Sequence, residues 1–359
     1  MARRLMKGCE AIGEAAVQAG CRLFFGYPIT PQNEIPEYLS HRLPEVGGTF
    51  VQAESEVAAS NMIYGAAGGG ARVFTSSSSP GISLMMEGVS YLAGAQLPVV
   101  IVNIMRAGPG LGGILPGQSD YFQATKGGGH GDYRTIVLAP WSVQEAADLV
   151  QDAFDLADYY RNPVMVLGDG VIGQIMEPVA FDPHREPCKP LDPKTWATTG
   201  CSGDRPPNVI NSLFLDPESL EAHNTRLQAK YAAMTRDEVR FATAGLEHGA
   251  CEVLIVAYGT VARTCSLAIE HLREAGILAA LFRPITLYPF PSSPLRDAAD
   301  KAKRVLVVEL SAGQMIEDVR LAVEGTRPIH FYGRTGGMLI STEEVVARVR
   351  DIVAEPRER

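Results

Sequence analysis

Five stretches of this chain are apolar with hardly a polar residue between them: "PVVIVNIM" (98–105), "PVMVLGDG" (163–170), "EVLIVAYG" (252–259), "LAALFRP" (278–284) and "RVLVVEL" (304–310). A strand with one wet face alternates apolar and polar residues. A strand covered on both faces has no reason to, so unbroken runs of this length point to parallel sheets buried between helices. The intervening segments carry the helical pattern. In "GCEAIGEAAVQA" (8–19), Ile12, Ala15, Ala16 and Ala19 share one face, and Gly20 stops it. "SVQEAADLVQDAFDLADYY" (142–160) opens on Ser142 as N-cap, and "STEEVVARVRDIVAE" (341–355) opens on Ser341 or Thr342. Strand and helix therefore alternate, which gives an α/β fold with helix-covered parallel sheets.

The alternation breaks near 178. "EPVAFDPHREPCKPLDPKTW" (177–196) is rich in proline and charge and reads as a linker, followed by a polar helix over 217–239. A second α/β block starts near 250. The expected division is a first domain over 1–180, a linker with a polar helix over 181–247 and a second domain over 248–359.

Several functions are excluded at this level. The net charge is −9 and no Lys/Arg cluster makes a basic face, so nucleic acid is not an expected partner. No apolar run approaches the roughly 18 residues of a membrane span. The basic start "MARRLMKGCEAIGEAAV" is interrupted by Glu10 and Glu14, unlike a signal peptide, and a cytoplasmic setting is expected. The six cysteines form no C-x-x-C and none pairs with a histidine at zinc spacing, so this chain is expected to hold neither metal nor iron–sulfur cluster.

Three loops at strand ends carry chemistry. "FFGYPITPQNEIPEYL" (24–39) stiffens a strand-to-helix turn with Pro28, Pro31 and Pro36. Pro36 fits if the helix starts near Asn33, because first-turn N–H groups have no intrahelical partner to lose. The turn then presents the Thr30 hydroxyl at a fixed place, where open α/β sheets bind ligands; a plain helix cap is the alternative. In "VQAESEVAAS" (51–60), Glu54 and Glu56 fall in a first turn, which the helix dipole favours in any case. Glu56 lies among Val57, Ala58 and Ala59, and a carboxyl in such surroundings can remain protonated and bond a ring nitrogen. In "NIMRAGPGLGGILPGQSDY" (103–121), Arg106 ends a buried strand and a glycine-rich loop follows. A fixed guanidinium there suits a carboxylate, which it grips through paired hydrogen bonds; a surface arginine is the alternative. The glycine run with Lys126 and His130 (124–134) has no G-K-[ST] and is no phosphate loop. Gly168-Asp169-Gly170 resembles a diphosphate-binding motif, but no asparagine stands some thirty residues on, and it reads as a strand-end turn.

Taken together, "YPITP" (27–31), "ESE" (54–56), "TSSSSPG" (75–81) and the R-x-G-P of 106–109 resemble, in order and spacing, the pyrimidine-binding subunit of 2-oxoacid:ferredoxin oxidoreductases. The resemblance covers nearly the whole chain and is nearest to the branched-chain (2-oxoisovalerate) type. It implies a thiamin-diphosphate pyrimidine-binding domain followed by a transketolase C-terminal-like domain. The cofactor would be shared with a partner subunit. That partner would supply the Gly-Asp-Gly motif, magnesium, the diphosphate site and a [4Fe–4S] cluster, with gamma-type and ferredoxin-like subunits, ferredoxin and coenzyme A completing the system. By position, the resemblance assigns Glu56, Arg106 and Thr30 to catalysis. It puts Tyr27, Pro28, Ile29, Thr30, Glu56 and Ser79 at the cofactor, and Thr30, Arg106, Gly112 and Gln118 at the substrate. Members acting on 2-oxoglutarate carry a hydroxyl-rich GPS-TG run after the arginine, where this chain has the more apolar "AGPGLGGILPG" (107–117). 2-Oxoglutarate and aryl or indolyl glyoxylates stay open as substrates, and so does a non-catalytic scaffold role.

Overall fold

A computed structural model describes residues 3–201, 203 and 205–356. The first part of the chain runs β1 (Arg4–Lys7), α1 (Gly8–Gln18), β2 (Leu23–Gly26), α2 (Glu34–Glu45), β3 (Thr49–Gln52), α3 (Glu56–Gly68), β4 (Val73–Ser77), α4 (Ser79–Gly94) and β5 (Val99–Met105). It continues through α5 (Tyr121–Thr125), β6 (Ile136–Leu138), α6 (Val143–Tyr160), β7 (Pro163–Asp169), α7 (Gly170–Gln174) and β8 (Met176–Val179). After a long irregular segment come α8 (Pro217–Asp237), β9 (Phe241–Ala244), β10 (Cys251–Val256), α9 (Gly259–Glu274), β11 (Ala279–Pro284) and β12 (Thr286–Tyr288). The last elements are α10 (Ser292–Ala299), β13 (Ala302–Glu309), α11 (Met315–Val323), β14 (Ile329–Gly333) and α12 (Thr342–Ala354).

The unbroken apolar runs all become interior strands. β5 and β7 are buried at every position and pair in parallel at the centre of a seven-stranded sheet ordered β12-β6-β7-β5-β4-β2-β3. The second sheet is ordered β14-β13-β10-β11-β9, parallel except for β9. β1 and β8 form a separate antiparallel pair. The strand ends β2, β4 and β5 converge because parallel neighbours share a direction, so all three place their following loops on one edge.

Two edge strands cross the division expected from sequence. β9 lies within the segment read as linker but pairs with β11 of the second sheet. β12 follows β11 directly yet adds antiparallel to β6 on the first sheet. Both are short and mixed in polarity, so the apolar-run signal passed over them. The chain after β8 is tied down by charge: Arg185 bridges Asp152 (2.6 Å) and Asp155 (2.8 Å), and Lys194 meets Asp158 (2.6 Å), all on α6. α8 is polar overall but buries His223, Leu227, Tyr231 and Met234, spaced at helical intervals along one stripe. The His223 ring nitrogen lies 2.7 Å from the Gly94 carbonyl at the end of α4. Gly168-Asp169-Gly170 is more than a turn. The Asp169 carboxylate caps α7 by accepting from the Val171 and Ile172 amides at 3.0 and 3.2 Å, and it takes the Thr260 hydroxyl from the start of α9. Burial raises its pKa, and these donors offset part of the rise.

Candidate active site

The turn after β2 is held from inside. Gln32 is fully buried; its amide donates to the Tyr27 carbonyl (3.3 Å) and its oxygen accepts from Ser76 Oγ (2.6 Å) at the end of β4. The Thr30–Pro31 peptide is cis, and Thr30 Oγ1 accepts from Asn33 Nδ2 at 3.3 Å. α2 starts at Glu34 with Pro36 in its first turn. Tyr27 and Pro28 are exposed on the rim, with Ile29 and Thr30 half-buried behind them.

The two acidic residues before α3 separate by burial. Glu54 is exposed, whereas Glu56 is 5% exposed, immediately after Ser55, whose hydroxyl caps the helix by accepting from the Ala58 amide at 3.2 Å. The Glu56 carboxyl lies over the first turn of α4. A side chain at Gly81 would stand 2.5 Å from Glu56 Oε1 and 2.1 Å from Ser77 Oγ, so the bare glycine makes the space that the carboxyl occupies. Around it the hydroxyl-rich end of β4 divides by function. Thr75 donates to the Phe25 carbonyl (2.7 Å) and Ser76 to Gln32, both structural. Ser77 Oγ, Ser78 Oγ, Asn103 Oδ1 and Arg106 Nε are buried without a hydrogen-bond partner. Buried polar groups are almost always paired, so orphans gathered at adjoining strand ends mark a place built for a ligand.

Arg106 is 7% exposed, and its guanidinium donates to the carbonyls of Thr30 (2.9 Å) and Leu111 (3.0 Å). The arginine thus joins the β2 turn to the loop after β5. That loop presents Leu111, Ile114 and Leu115 as exposed apolar side chains. Leu115 packs against the second block at Gly337, where a Cβ would come within 2.4 Å of its own. A cleft of about 500 Å³ opens beside Arg106, walled by Ser79 and Asp120 on one side and by Leu310, Ser311 and Gln314 on the other.

Two residues assigned to the substrate stand apart from the cleft. Gln118 does not line it. It is fully buried, and all four of its polar groups bond the second block: the amide and side-chain oxygen to Leu310 (2.8 and 3.0 Å), the carbonyl and side-chain nitrogen to Tyr258 (3.1 and 3.0 Å). Gly112 lies outside the cleft. Its φ of +59° and the close approach to the Ala107 carbonyl, 2.0 Å from a would-be Cβ, make it a requirement of the loop's own turn. Sequence reading passed over three residues: Gly81, Asn103 and Asp120. Asp120 Oδ2 accepts from Ser79 (2.6 Å) and Asn103 (2.9 Å), and burial raises its pKa. Only its place in "GQSDY", at the end of the glycine loop, could have drawn attention to it.

The family model described as pyruvate flavodoxin/ferredoxin oxidoreductase, thiamine diphosphate-binding, matches residues 14–236. The model of pyruvate:ferredoxin oxidoreductase core domain II matches residues 251–345. The chain belongs to this family. It is 49% identical to ketoisovalerate oxidoreductase subunit VorB of Methanothermobacter marburgensis, covering 99% of each chain. It is 34% identical to 2-oxoglutarate synthase subunit KorA of Methanothermobacter thermautotrophicus over 95% of this chain and 96% of that one. Among solved structures it superposes on 2-oxoglutarate:ferredoxin oxidoreductase from Magnetococcus marinus, described with 2-oxoglutarate, coenzyme A and succinyl-CoA bound, with a TM-score of 0.87 and 27% identity. The match covers 98% of this chain, which spans 65% of that one.

The residues present fit the pyrimidine ring of thiamin diphosphate. A buried carboxyl, two unpartnered hydroxyls and an unpartnered amide oxygen offer a planar, nitrogen-rich ring both donors and acceptors. The six cysteines are free thiols. No helix among the described residues is long and apolar enough to cross a membrane.

Proposed function

We propose that this chain is the pyrimidine-binding subunit of a cytoplasmic 2-oxoacid:ferredoxin oxidoreductase. It works on branched-chain 2-oxoacids, forming acyl-CoA and carbon dioxide and passing electrons to ferredoxin. The observation that carries the reading is Glu56, buried at the start of α3, with Gly81 left bare to admit its carboxyl beside the unpartnered Ser77 and Ser78 hydroxyls. Thiamin diphosphate supplies the electron sink for decarboxylation when bound. Glu56 holds and exchanges a proton at the pyrimidine ring. Ser77, Ser78 and Tyr27–Thr30 form the surrounding wall on this subunit's side. Arg106 and Thr30 orient the 2-oxoacid at its carboxylate and keto group. The diphosphate, its magnesium and the iron–sulfur cluster belong to a partner subunit, which covers the exposed rim of Tyr27, Leu111 and Ile114. The division expected at 180 and 248 is read as that between the pyrimidine-binding unit and a transketolase C-terminal-like unit.

The branched-chain reading is supported by the 49% identity to the ketoisovalerate oxidoreductase subunit, over 99% of each chain. The test is a substrate panel on the reconstituted complex, from pyruvate through 2-oxoisovalerate to 2-oxoglutarate. The highest kcat/KM is expected for 2-oxoisovalerate. A maximum at 2-oxoglutarate would overturn the substrate while leaving the reaction class standing.

A further inference from the structure

Arg106 is fixed at both ends, and the two ends are fixed by different parts of the molecule. Its guanidinium is held by the Thr30 and Leu111 carbonyls. Its backbone amide donates to Ser79 Oγ at 3.0 Å. A serine hydroxyl has one proton to give, and two acceptors lie near it here: Asp120 Oδ2 at 2.6 Å and the Arg106 carbonyl at 3.3 Å. The shorter contact is to the carboxylate, the stronger acceptor, so the proton goes to Asp120 and the hydroxyl's lone pairs turn to the Arg106 amide. Asp120 is itself anchored by Asn103 Nδ2, donating to the same oxygen at 2.9 Å from within β5. Asp120 thus joins two elements: β5, through Asn103 in the strand, and α4, through its first residue Ser79, whose hydroxyl also takes the amide of Arg106 just past the strand's end. It also lines the cleft that Arg106 lines.

We propose that Asp120 is a positioning residue for the substrate arginine. Through the Ser79 hydroxyl it sets the Arg106 backbone, and with it the angle at which the guanidinium enters the site and the tether on Leu111. The inference rests on the reading of Arg106 as the group that orients the 2-oxoacid. Nothing in it requires the Asp120 charge as such. It requires one oxygen that can accept from Ser79 and Asn103 together, which an asparagine oxygen can also do.

The test uses three variants of the full chain, each reconstituted with its partner subunits and assayed with 2-oxoisovalerate, and each also examined alone by native-state hydrogen exchange. Asp120→Ala is expected to raise KM about tenfold, the order of factor that goes with leaving one buried hydrogen-bonding group without its partner. Its kcat should stay within about twofold, because chemistry at the cofactor is not touched. Amide exchange over residues 106–113 should speed up in the isolated chain, a readout independent of turnover. Asp120→Asn should restore both KM and exchange protection to near those of the unaltered protein. Arg106→Lys is the control and should raise KM by itself, since a single ammonium cannot reproduce the forked contact. If Arg106→Lys raises KM while Asp120→Ala changes neither KM nor exchange, the positioning role is refuted and the Arg106 assignment stands. An Asp120→Asn as impaired as Asp120→Ala would also refute it, because the charge would then be what matters. If Arg106→Lys leaves KM unchanged, the reading beneath the inference fails and the inference goes with it.

Discussion

Replacing Gly81 with alanine tests the Glu56 assignment without touching the carboxyl. The new Cβ would stand 2.5 Å from Glu56 Oε1, about 0.9 Å inside the 3.4 Å at which ordinary contact begins, and 2.1 Å from Ser77 Oγ. Gly81 has no positive φ, so alanine adopts its backbone without strain. It lies in the first turn of α4, where alanine gains up to about 1 kcal/mol in helix propensity. Overpacking costs roughly 1–3 kcal/mol, and here the clashing atoms belong to side chains rather than to backbone. The chain should therefore fold with its melting temperature lowered by no more than a few degrees. Catalysis has no such slack. A carboxyl displaced by about 1 Å from a ring nitrogen is expected to lower kcat on the order of a hundredfold, with KM for the 2-oxoacid little changed. The assay is steady-state turnover of 2-oxoisovalerate by the reconstituted complex, beside a thermal scan of the subunit. Gly81→Ala with kcat within threefold of the unaltered protein, at a confirmed fold, would refute the claim that Glu56 works from the position described.

Glu56→Gln should slow hydrogen–deuterium exchange at the C2 position of thiamin diphosphate in the reconstituted complex by about a hundredfold or more, whereas Glu54→Gln, altering an exposed residue, should stay within twofold. Gln118→Leu leaves the Tyr258 carbonyl and the Leu310 amide without their side-chain partners. A loss of about 2–4 kcal/mol follows, seen as a drop of roughly 3–5 °C in the thermal midpoint. Lys230, whose Nζ donates to the Arg161 carbonyl, has its pKa lowered by burial from 10.5 to about 7. Its burial penalty is complete below pH 7 and is relieved as pH rises toward 10.5, because the unfolded chain keeps the proton that the folded chain gives up. Any stability advantage of Lys230→Met in thermal scans should therefore be largest near pH 6 and shrink steadily up to pH 10, and a gap that does not change with pH would refute the assignment.

The parallel core was legible because burial on both faces leaves an uninterrupted apolar signature, as at 98–105 and 163–170. Glu56 could be told from Glu54 only through the resemblance; burial of one and exposure of the other is a fact of where α3 sits against α4. β9 and β12 escaped notice because a short edge strand needs neither length nor apolar character, only a neighbour with free backbone groups. The interior place of Gln118 is hidden for a related reason. A glutamine in a glycine-rich loop looks the same in sequence whether it meets a ligand or another backbone, and its partners lie 140 and 192 residues away. Asp120 was invisible for want of any local pattern around it; its partners come from α4 and β5.

β12 leaves the second sheet's neighbourhood to complete the first, while Gln118 reaches the opposite way into the backbone of the second. The two halves are thus stitched rather than hinged. A gene cut between them would yield two fragments with torn edges: one sheet missing its outermost strand, the other a loop with unmet backbone groups at Tyr258 and Leu310. For the same reason the cleft between Ser79 and Leu310 cannot gape by swinging one half away from the other without unzipping a strand. Any change in its width then falls to the glycine loop over 107–117, whose ends line it.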